Sequence, residues 1–338
     1  MMRVWMWAIL CLMVLVGCTG GAPEGKEVKV EPNVGGGKPI EGTLKVALLT
    51  PGNVNDSGWS AIAYRGLKAI EKELGAEVAN KVATDASTND DLRSYAQDGF
   101  HLVLGHGFEY NAPAVAMAKE FPNTTFVTSS GGEFGPNAGA FRFYMEQAFY
   151  LAGMMAGRLT TTGKVAMIGG PDVPSIRSTF KAFAAGAKAA KPDVVVIEKF
   201  TGKNDDVAAA KQATLQAIAE GADFLIHQTN NAAPGFFGAC EEKKVYCFGA
   251  NENQNDMSPQ VIASAVINAE APFVSLAKEI KEGKYVGGIR LVGMVEGAVE
   301  FVKNPKAGAA VTAEAQAFVD GAADRILAGE LVVPKDEF

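Results

Sequence analysis

From Leu44 onward, short apolar segments alternate with longer alanine-rich segments, and this alternation restricts the fold more than any other feature. Short apolar runs are typical of buried strands, and an apolar face repeated every three to four residues is typical of a helix. Strands are predicted at 44–49, 77–83, 101–104, 125–128, 164–168, 194–198, 224–227, 245–248, 260–266 and 289–292. Helices are predicted at 60–74, 89–98, 112–120, 145–159, 176–190, 205–220, 234–242 and 272–282. Units of this kind require parallel pairing with right-handed crossovers, so we expect an α/β fold with doubly wound parallel sheets.

The length of the chain predicts more than one lobe. A chain of 338 residues is too long for one small core and favours about two domains. Residues 169–174 repeat the strand, loop and helix pattern of residues 50–60, as if a second lobe copied the first. We therefore predict one lobe from residues 44–140 with about 258–288, and another from 141–257 with about 289–338.

The composition excludes several functional classes. Lys and Arg number 31 against 38 Asp and Glu, a formal charge of −7, so nucleic acid is not an expected partner. The chain has four Cys and three His but neither a C-x-x-C pair nor an H-E-x-x-H motif, which disfavours a metal site. It contains no P-loop, complete G-x-G-x-x-G fingerprint or G-x-S-x-G elbow. We therefore expect neither catalysis nor a bound cofactor.

The beginning of the chain resembles an export signal. Arg3 precedes an uncharged apolar stretch at 4–16, which is shorter than the roughly 20 residues that span a bilayer. Residues 1–17 are predicted to be a signal peptide, and 15–18 (LVGC) match the bacterial lipobox, so Cys18 would carry lipid. The alternative is a signal peptide that merely ends near a Cys. Residues 18–43, rich in Gly, Pro and charge, are predicted to be a flexible tether that leaves the chain lipid-anchored at the cell membrane, facing the periplasm or the exterior.

The loops at the strand ends are the expected binding region. In doubly wound sheets, ligands bind beyond the carboxyl ends of the strands. The loops in question follow Leu49, Gly105, Thr128, Ile168, His227 and Gly249, and all are polar or rich in glycine. The pattern predicts a small molecule bound between the two lobes.

Short motifs follow one another in order along residues 44–303. They are KVALLT (45–50), NDSGWS (55–60), GFEY (107–110), AKEFP (118–122), EQAFYLAG (146–153), GKVAMIGG (163–170), FAAGA (183–187) and KPD (191–193). As a set they resemble the basic membrane protein family of substrate-binding lipoproteins, which includes purine nucleoside receptors of ABC transporters. The resemblance implies the periplasmic-binding-protein type I fold, in which crossover strands join two α/β lobes and the ligand lies in the cleft.

The resemblance also implies ligand-binding residues in the first lobe. Where the family has Asp-Lys-Ser-Phe-Asn, this chain has DSGWS at 56–60, so Trp59 would stack on a base and Ser60 replaces an amide. Asn55 and Asp56 belong to the same motif. The alternative for Trp59 is a core residue at the start of a helix.

Other positions depart from the family pattern. Phe108 belongs to its Gly-Phe motif, but the acidic residue that usually follows is Ala112, and Glu109 and Asn111 are its possible replacements. Asn251 stands where an Asp resembles the acceptor for ribose hydroxyls, and an amide there is neutral. A free nucleobase or another neutral heterocycle is therefore nearly as well supported as a nucleoside.

Two amides after the strand at 224–227 are further candidates. Gln228 and Asn230 could bond the edge of a heterocycle, as Asn and Gln do with adenine. Polar residues at a strand end can instead cap the next helix. Elsewhere, His106 is more typical of a satisfied structural group than of a base. For Cys240 and Cys247, a disulfide and two buried free thiols remain open alternatives.

These features predict the substrate-binding lipoprotein of an ABC importer, a monomer that closes on a purine nucleoside or nucleobase. Its partners would be the ligand, the ABC permease in the inner membrane, and the membrane itself through lipid on Cys18. The alternative is a ligand-sensing surface lipoprotein for a related small heterocycle that is not coupled to transport. A nucleoside-hydrolysing enzyme is disfavoured, because no carboxylate cluster supports it.

Overall fold

The computed structural model describes residues 38–56, 58–84 and 86–337. The predicted signal peptide, most of the predicted tether and Cys18 lie outside these residues. The strands are β1 (Lys45–Thr50), β2 (Glu77–Val82), β3 (Leu102–Gly105), β4 (Thr125–Thr128), β5 (Ala138–Phe143), β6 (Lys164–Gly169), β7 (Val195–Phe200), β8 (Phe224–Gln228), β9 (Tyr246–Asn251), β10 (Val261–Ile267), β11 (Ile289–Val292) and β12 (Val299–Lys303). The helices are α1 (Trp59–Leu74), α2 (Thr88–Gln97), α3 (Asn111–Glu120), α4 (Glu146–Leu159), α5 (Pro174–Ala190), α6 (Val207–Ala219), α7 (Ala233–Lys243), α8 (Glu270–Lys281) and α9 (Ala313–Leu327). Among these helices, none is long and apolar enough to cross a membrane.

The strands form two six-stranded sheets, one in each lobe. The first has the order β11-β5-β4-β3-β1-β2, and the second has the order β12-β10-β9-β8-β6-β7. All pairs in the first sheet are parallel, and in the second only β12 runs antiparallel, beside β10. The predicted α/β class with two parallel-sheet lobes is confirmed.

The described chain passes between the lobes at three places, which lie side by side. They are the connections from β5 to α4, from β10 to α8, and from β11 to β12. The Tyr144 N–H donates to the Val292 carbonyl at 2.7 Å, and the Met294 N–H donates to Gln147 Oε1 at 2.7 Å. These bonds tie the first crossing to the third, as expected for a hinge.

The crossings correct the predicted lobe boundaries at 258 and 289. Strand β10 pairs with β9 in the second sheet, although residues 258–288 were assigned to the first lobe. Strand β11 pairs with β5 in the first sheet, although residues 289–338 were assigned to the second lobe. The chain crosses to the other lobe only after β10 has paired with β9 and β11 has paired with β5. Each of these strands therefore belongs to the lobe that the chain is about to leave.

Two strands and one helix were not predicted. Strand β5 has the sequence AGAFRF, in which a charged residue interrupts the apolar run; Arg142 is buried there because Glu146 neutralises it. Strand β12 has alternating character, VEFVK, and lies at a sheet edge. Helix α9 carries Gly321 near its middle, which weakens the helical signal.

Helices α4 and α5 pack closely because glycines face the partner backbone. A Cβ on Gly153 would lie 2.0 Å from the Phe183 carbonyl oxygen, and one on Gly186 would lie 2.0 Å from the Tyr150 carbonyl oxygen. Both distances are far below contact, so each helix requires glycine at these positions. The packing matters for function, because the N-terminal ends of both helices border the cavity described below.

We expect Gly153→Ala to lower the free energy of unfolding by about 1–3 kcal/mol, since the helices must move apart to admit one methyl group. Gly321→Ala is the matched control: its Cβ would meet no atom within 4 Å, so that variant should gain about 0.5–1 kcal/mol. Urea unfolding measures both changes. Equal stability of the two variants would contradict the packing described here.

Candidate functional site

A cavity of about 300 Å³ lies between the lobes at the carboxyl ends of both sheets. Every loop that the sequence marked as a candidate contributes to its lining. The lining residues are Pro51, Trp59, Gly107, Phe108, Glu109, Ser129, Ser130, Arg142, Phe143, Met145, Glu146, Pro171, Val173, Ser175, Ile176, Thr179, Asn204, Gln228, Asn230, Asn251 and Ile267. Phe143, Met145, Glu146 and Ile267 lie at or beside the crossings, so the floor of the cavity is next to the hinge.

Trp59 is held in one orientation by His106. The two rings are stacked with centroids 3.9 Å apart and planes 23° apart. The indole Nε1–H donates to the His106 carbonyl at 3.0 Å, and His106 Nε2 lies 2.8 Å from the Trp59 carbonyl oxygen. Because a carbonyl can only accept, Nε2 carries the proton, and Nδ1 accepts from Ser129 Oγ at 2.6 Å. His106 thus covers one face of an indole that borders the cavity.

Asp56 positions this tryptophan from outside the cavity. Its carboxylate accepts from the backbone N–H groups of Gly58, Ser60 and Ala61, each at 2.9 Å. These are N–H groups at the start of α1 that have no partner within the helix. Asp56 therefore fixes the beginning of α1, and with it the position of Trp59.

Four members of the predicted ligand set lie outside the cavity lining. They are Asn55, Asp56, Ser60 and Asn111. Asn55 is exposed, and Ser60 is buried at the start of α1. The amide of Asn111 donates to Thr128 Oγ1 and the Glu133 carbonyl and accepts from the Glu133 N–H. The polar groups of Asp56 and Asn111 are thus occupied within the first lobe.

The other six predicted residues border the cavity. Trp59, Phe108 and Glu109 come from the first lobe, and Gln228, Asn230 and Asn251 come from the second. Asn230 and Asn251 both have positive φ, of 44° and 69°, a conformation that asparagine tolerates better than most residues.

The two asparagine side chains are hydrogen-bonded to each other, whereas the side chain of Gln228 makes no hydrogen bond with the described residues. Asn251 Nδ2 donates to Asn230 Oδ1 at 3.0 Å. The Gln228 side-chain amide has no hydrogen bond to any residue that the structure describes, although Gln228 is half-buried. Its two donors and its acceptor are available to a ligand.

Sequence reasoning missed a buried ion pair at the floor of the cavity. Arg142 Nη2 donates to Glu146 Oε1 at 2.5 Å, and both side chains are at most 5 % exposed. Ser178 Oγ also donates to Glu146 Oε1, and Arg142 Nη1 donates to the Asp336 carbonyl at 2.6 Å. The signal in the sequence was two opposite charges four residues apart at the start of an apolar helix.

A second missed residue is Asn204, in the loop between β7 and α6. Its Oδ1 is buried and has no hydrogen-bond partner among the described residues. A Cβ on Gly170 would lie 2.3 Å from this oxygen, so the glycine makes room for it. A buried acceptor without a partner is unfavourable, and a ligand that donates an N–H would satisfy it.

His106 and His227 are buried behind the cavity lining and are neutral. Burial lowers the pKa of His106 to about 3 and that of His227 to about 4. His227 Nε2 lies 2.9 Å from Gln254 Oε1, which also accepts from the Ala250 N–H, so Nε2 carries the proton.

Among the described residues no group of three or more His, Cys, Asp or Glu is arranged to hold a metal ion. Cys240 and Cys247 are buried free thiols, and burial raises the pKa of Cys247.

The fold and the cavity define a class: two-lobed proteins that bind a small ligand in an interlobe cleft. The family model for the ABC transporter substrate-binding protein PnrA-like proteins matches residues 43–337. The chain therefore belongs to the Bmp family of ABC transporter substrate-binding proteins. These are binding proteins and not enzymes, which confirms both the predicted family and the absence of catalysis.

Named relatives and a solved structure agree with this assignment. The ABC transporter nucleoside-binding protein BmpA of Lactococcus lactis subsp. cremoris is 26% identical over 355 residues, covering 97% of this chain and 96% of that protein. A purine-binding protein of Brucella abortus is 25% identical over 272 residues, covering 79% of this chain and 77% of that protein. The solute-binding protein of an ABC transporter system from Conexibacter woesei superposes with a TM-score of 0.70 at 26% identity, covering 87% of this chain and 99% of that one. The architecture is that of type I periplasmic binding proteins.

The neutral histidines predict a pH dependence of stability. Unfolded histidine has a pKa near 6.5, so the unfolded chain binds more protons than the folded chain as pH falls from about 6.5 toward 4. The free energy of unfolding should therefore be highest above pH 6.5 and should fall by about 2 kcal/mol for each of His106 and His227 between pH 7 and pH 5. Urea unfolding at the two pH values measures the loss, and His227→Asn should show about half of it. An unchanged free energy in the wild-type chain would contradict the burial of these rings.

Proposed function

We propose that this chain binds a purine nucleoside or nucleobase between its lobes and delivers it to an ABC permease. One observation carries the proposal: the fixed indole of Trp59 on the first lobe borders the same cavity as unoccupied amide groups on the second. A flat heterocycle with polar edges matches both halves.

The indole supplies a stacking surface that is already ordered. The bond from its Nε1–H to the His106 carbonyl and the stacked imidazole restrict the ring before any ligand arrives, and His106 Nε2 also bonds the Trp59 backbone carbonyl. Little side-chain entropy is then lost on binding. Stacking of a base on an aromatic side chain contributes roughly 1–3 kcal/mol and tolerates different bases.

The second lobe supplies groups that can bond the edge of a heterocycle. Gln228 offers donors and an acceptor, and Asn204 offers a buried acceptor that has no partner among the residues the structure describes. Asn251 and Asn230 form an amide pair beside them. A purine carries ring N–H or amino donors together with ring-nitrogen or carbonyl acceptors, so it can satisfy both kinds of group.

The charged groups at the cavity disfavour an anionic ligand, because the lining includes the carboxylate of Glu109. The guanidinium of Arg142 is already paired with Glu146 inside the protein. His106 and His227 are neutral at pH 7 because burial lowers the pKa of each. The lining also contributes the hydroxyl groups of Ser129, after β4, and of Thr179, in α5. A phosphorylated nucleotide would lack a cationic partner of its own, so we favour the nucleoside or the free base.

The names of two relatives support this ligand class, one being nucleoside-binding and the other purine-binding. Membership of a family of ABC transporter substrate-binding proteins supports coupling to a permease. An uptake assay tests it: cells that lack this chain should lose import of a radiolabelled purine, and the wild-type chain should restore it. Uptake that is independent of the chain would favour the sensing alternative.

The lipid anchor on Cys18 and the monomeric state remain predictions. If the Cys18→Ser variant still incorporates labelled fatty acid, the anchor on Cys18 is contradicted. If sedimentation equilibrium shows a dimer, the monomeric state is contradicted.

Trp59→Ala should weaken binding of the preferred purine by about tenfold or more, because about 1.4 kcal/mol or more of stacking is lost. Trp59→Phe keeps a smaller aromatic face and should lose less. Isothermal calorimetry with inosine, guanosine, adenosine and their free bases measures each affinity. If Trp59→Ala binds every one of these ligands as tightly as the wild-type chain, Trp59 is not the stacking residue.

Asn204→Ala should lower affinity without lowering stability. Without ligand, removal of the unpartnered Oδ1 should leave the unfolding temperature unchanged or raise it. Affinity should fall about fivefold, since a bond of about 1 kcal/mol to the ligand is lost. Gln216→Ala, an exposed change on α6 of the same lobe, serves as the control for both measurements. A loss of stability with unchanged affinity would give Asn204 a purely structural role.

A further inference from the structure

Arg65 makes a charged contact between the lobes outside the cavity. It lies on α1, and its Nε donates to Glu270 Oε1 at 3.1 Å; Glu270 begins α8, which packs beside α1 in the first lobe. Its Nη1 also donates to Glu252 Oε1. Glu252 directly follows β9 and therefore belongs to the second lobe.

This contact lies beside the second crossing, because Glu270 begins α8 directly after it and Asn251, next to Glu252, pairs in register with Val266 near the end of β10. Glu252 is the neighbour of Asn251, which borders the cavity, whereas Arg65, Glu252 and Glu270 do not border it. The lobes also approach each other nearby, since a Cβ on Gly58 would lie 3.4 Å from Asn230 Oδ1. The ion pair between Arg65 and Glu252 therefore joins the lobes in the arrangement that forms the cavity, and rotation about the crossings would change the distance between its two members.

Glu270 prepares the arginine for this contact. It holds the Nε side of the guanidinium within the first lobe, which leaves Nη1 directed at Glu252. A planar guanidinium already fixed on one side loses less freedom when it meets a second carboxylate. The Arg65 side chain is 45% exposed and that of Glu252 is 20% exposed, so the pair is accessible to salt.

We propose that Arg65 is a positioning residue that sets ligand affinity by stabilising the closed arrangement through Glu252, without touching the ligand. A ligand that binds the closed form has an apparent affinity reduced by the fraction of the chain that is open. An interaction made only on closure raises the closed fraction and hence the affinity. The proposal rests on the proposed function for the identity of the ligand, whereas the effect of Arg65 on closure of the lobes requires no ligand.

The affinity experiment uses Arg65→Gln, Glu252→Gln and the double variant, titrated by calorimetry with inosine, adenosine and adenine. Each single variant should bind about fivefold more weakly at low salt, and the double variant should be no weaker than either single one. Raising NaCl from about 0.05 M to about 0.5 M should weaken the wild-type chain and leave the variants nearly unchanged. Lys68→Gln, an exposed change on the same helix, is the control. Additive losses, or an equal salt effect in the variants, would overturn the proposal.

The closure experiment needs no ligand. Spin labels on Lys72→Cys in α1 and Gln216→Cys in α6, both exposed, report the distance between the lobes by pulsed electron resonance in full-length chains that carry Cys11→Ser and Cys18→Ser. Arg65→Gln should shift the ligand-free distribution toward longer distances, with an unchanged urea midpoint. An unchanged distribution would overturn the proposal. If none of the purines binds but the distribution shifts, the ligand assignment fails while the role of Arg65 stands.

Discussion

The buried ion pair of Arg142 with Glu146 is the interaction on which the arrangement of the cleft depends. Arg142 belongs to the sheet of the first lobe, and Glu146 is the first residue of the helix that enters the second, so the pair spans the first crossing. Ser178 of α5 and the backbone of Asp336 join the same network. A buried charge without its partner is strongly destabilising, so each member requires the other. The pair fixes the first crossing and places matched charges at the floor of the cavity.

This matching explains why a site with ionic residues is suited to an uncharged ligand. The arginine is already paired, the buried histidines are held neutral, and the cavity presents an indole face and amides beside the carboxylate of Glu109, so it offers no unpaired cation among the described residues. His106 contributes by packing: it orients Trp59 and bonds Ser129. Recognition then depends on stacking and on hydrogen bonds to a heterocycle edge. The interlobe pair of Arg65 and Glu252 adds a contribution that is independent of ligand chemistry.

Much of the architecture could be predicted from the sequence because strands buried in parallel sheets are nearly continuous apolar runs. The strands at 125–128 and 289–292 match to the residue, the second even though it is an edge strand in which Ile289 and Leu291 are exposed. Strand β5 was missed because a buried arginine resembles a surface residue until its partner is known. The lobe boundaries were misplaced at β10 and β11, since membership in a sheet is decided by pairing between distant segments.

The predicted site residues were only partly correct for a similar reason, because contacts in three dimensions decide which of them border the cavity. Trp59 was found through its motif, whereas Asp56 belongs to the same motif but uses its oxygens to begin a helix. Asn204 could not be found, because an acceptor without a partner is visible only in three dimensions.

The identity of the molecule that the purified full-length chain carries tests the central claim most directly. The small molecules released on denaturation can be identified and quantified against the protein by mass spectrometry. The account predicts a neutral purine nucleoside or nucleobase in near-stoichiometric amount, recovered intact. A sugar, an amino acid or a phosphorylated nucleotide bound at that level would contradict it.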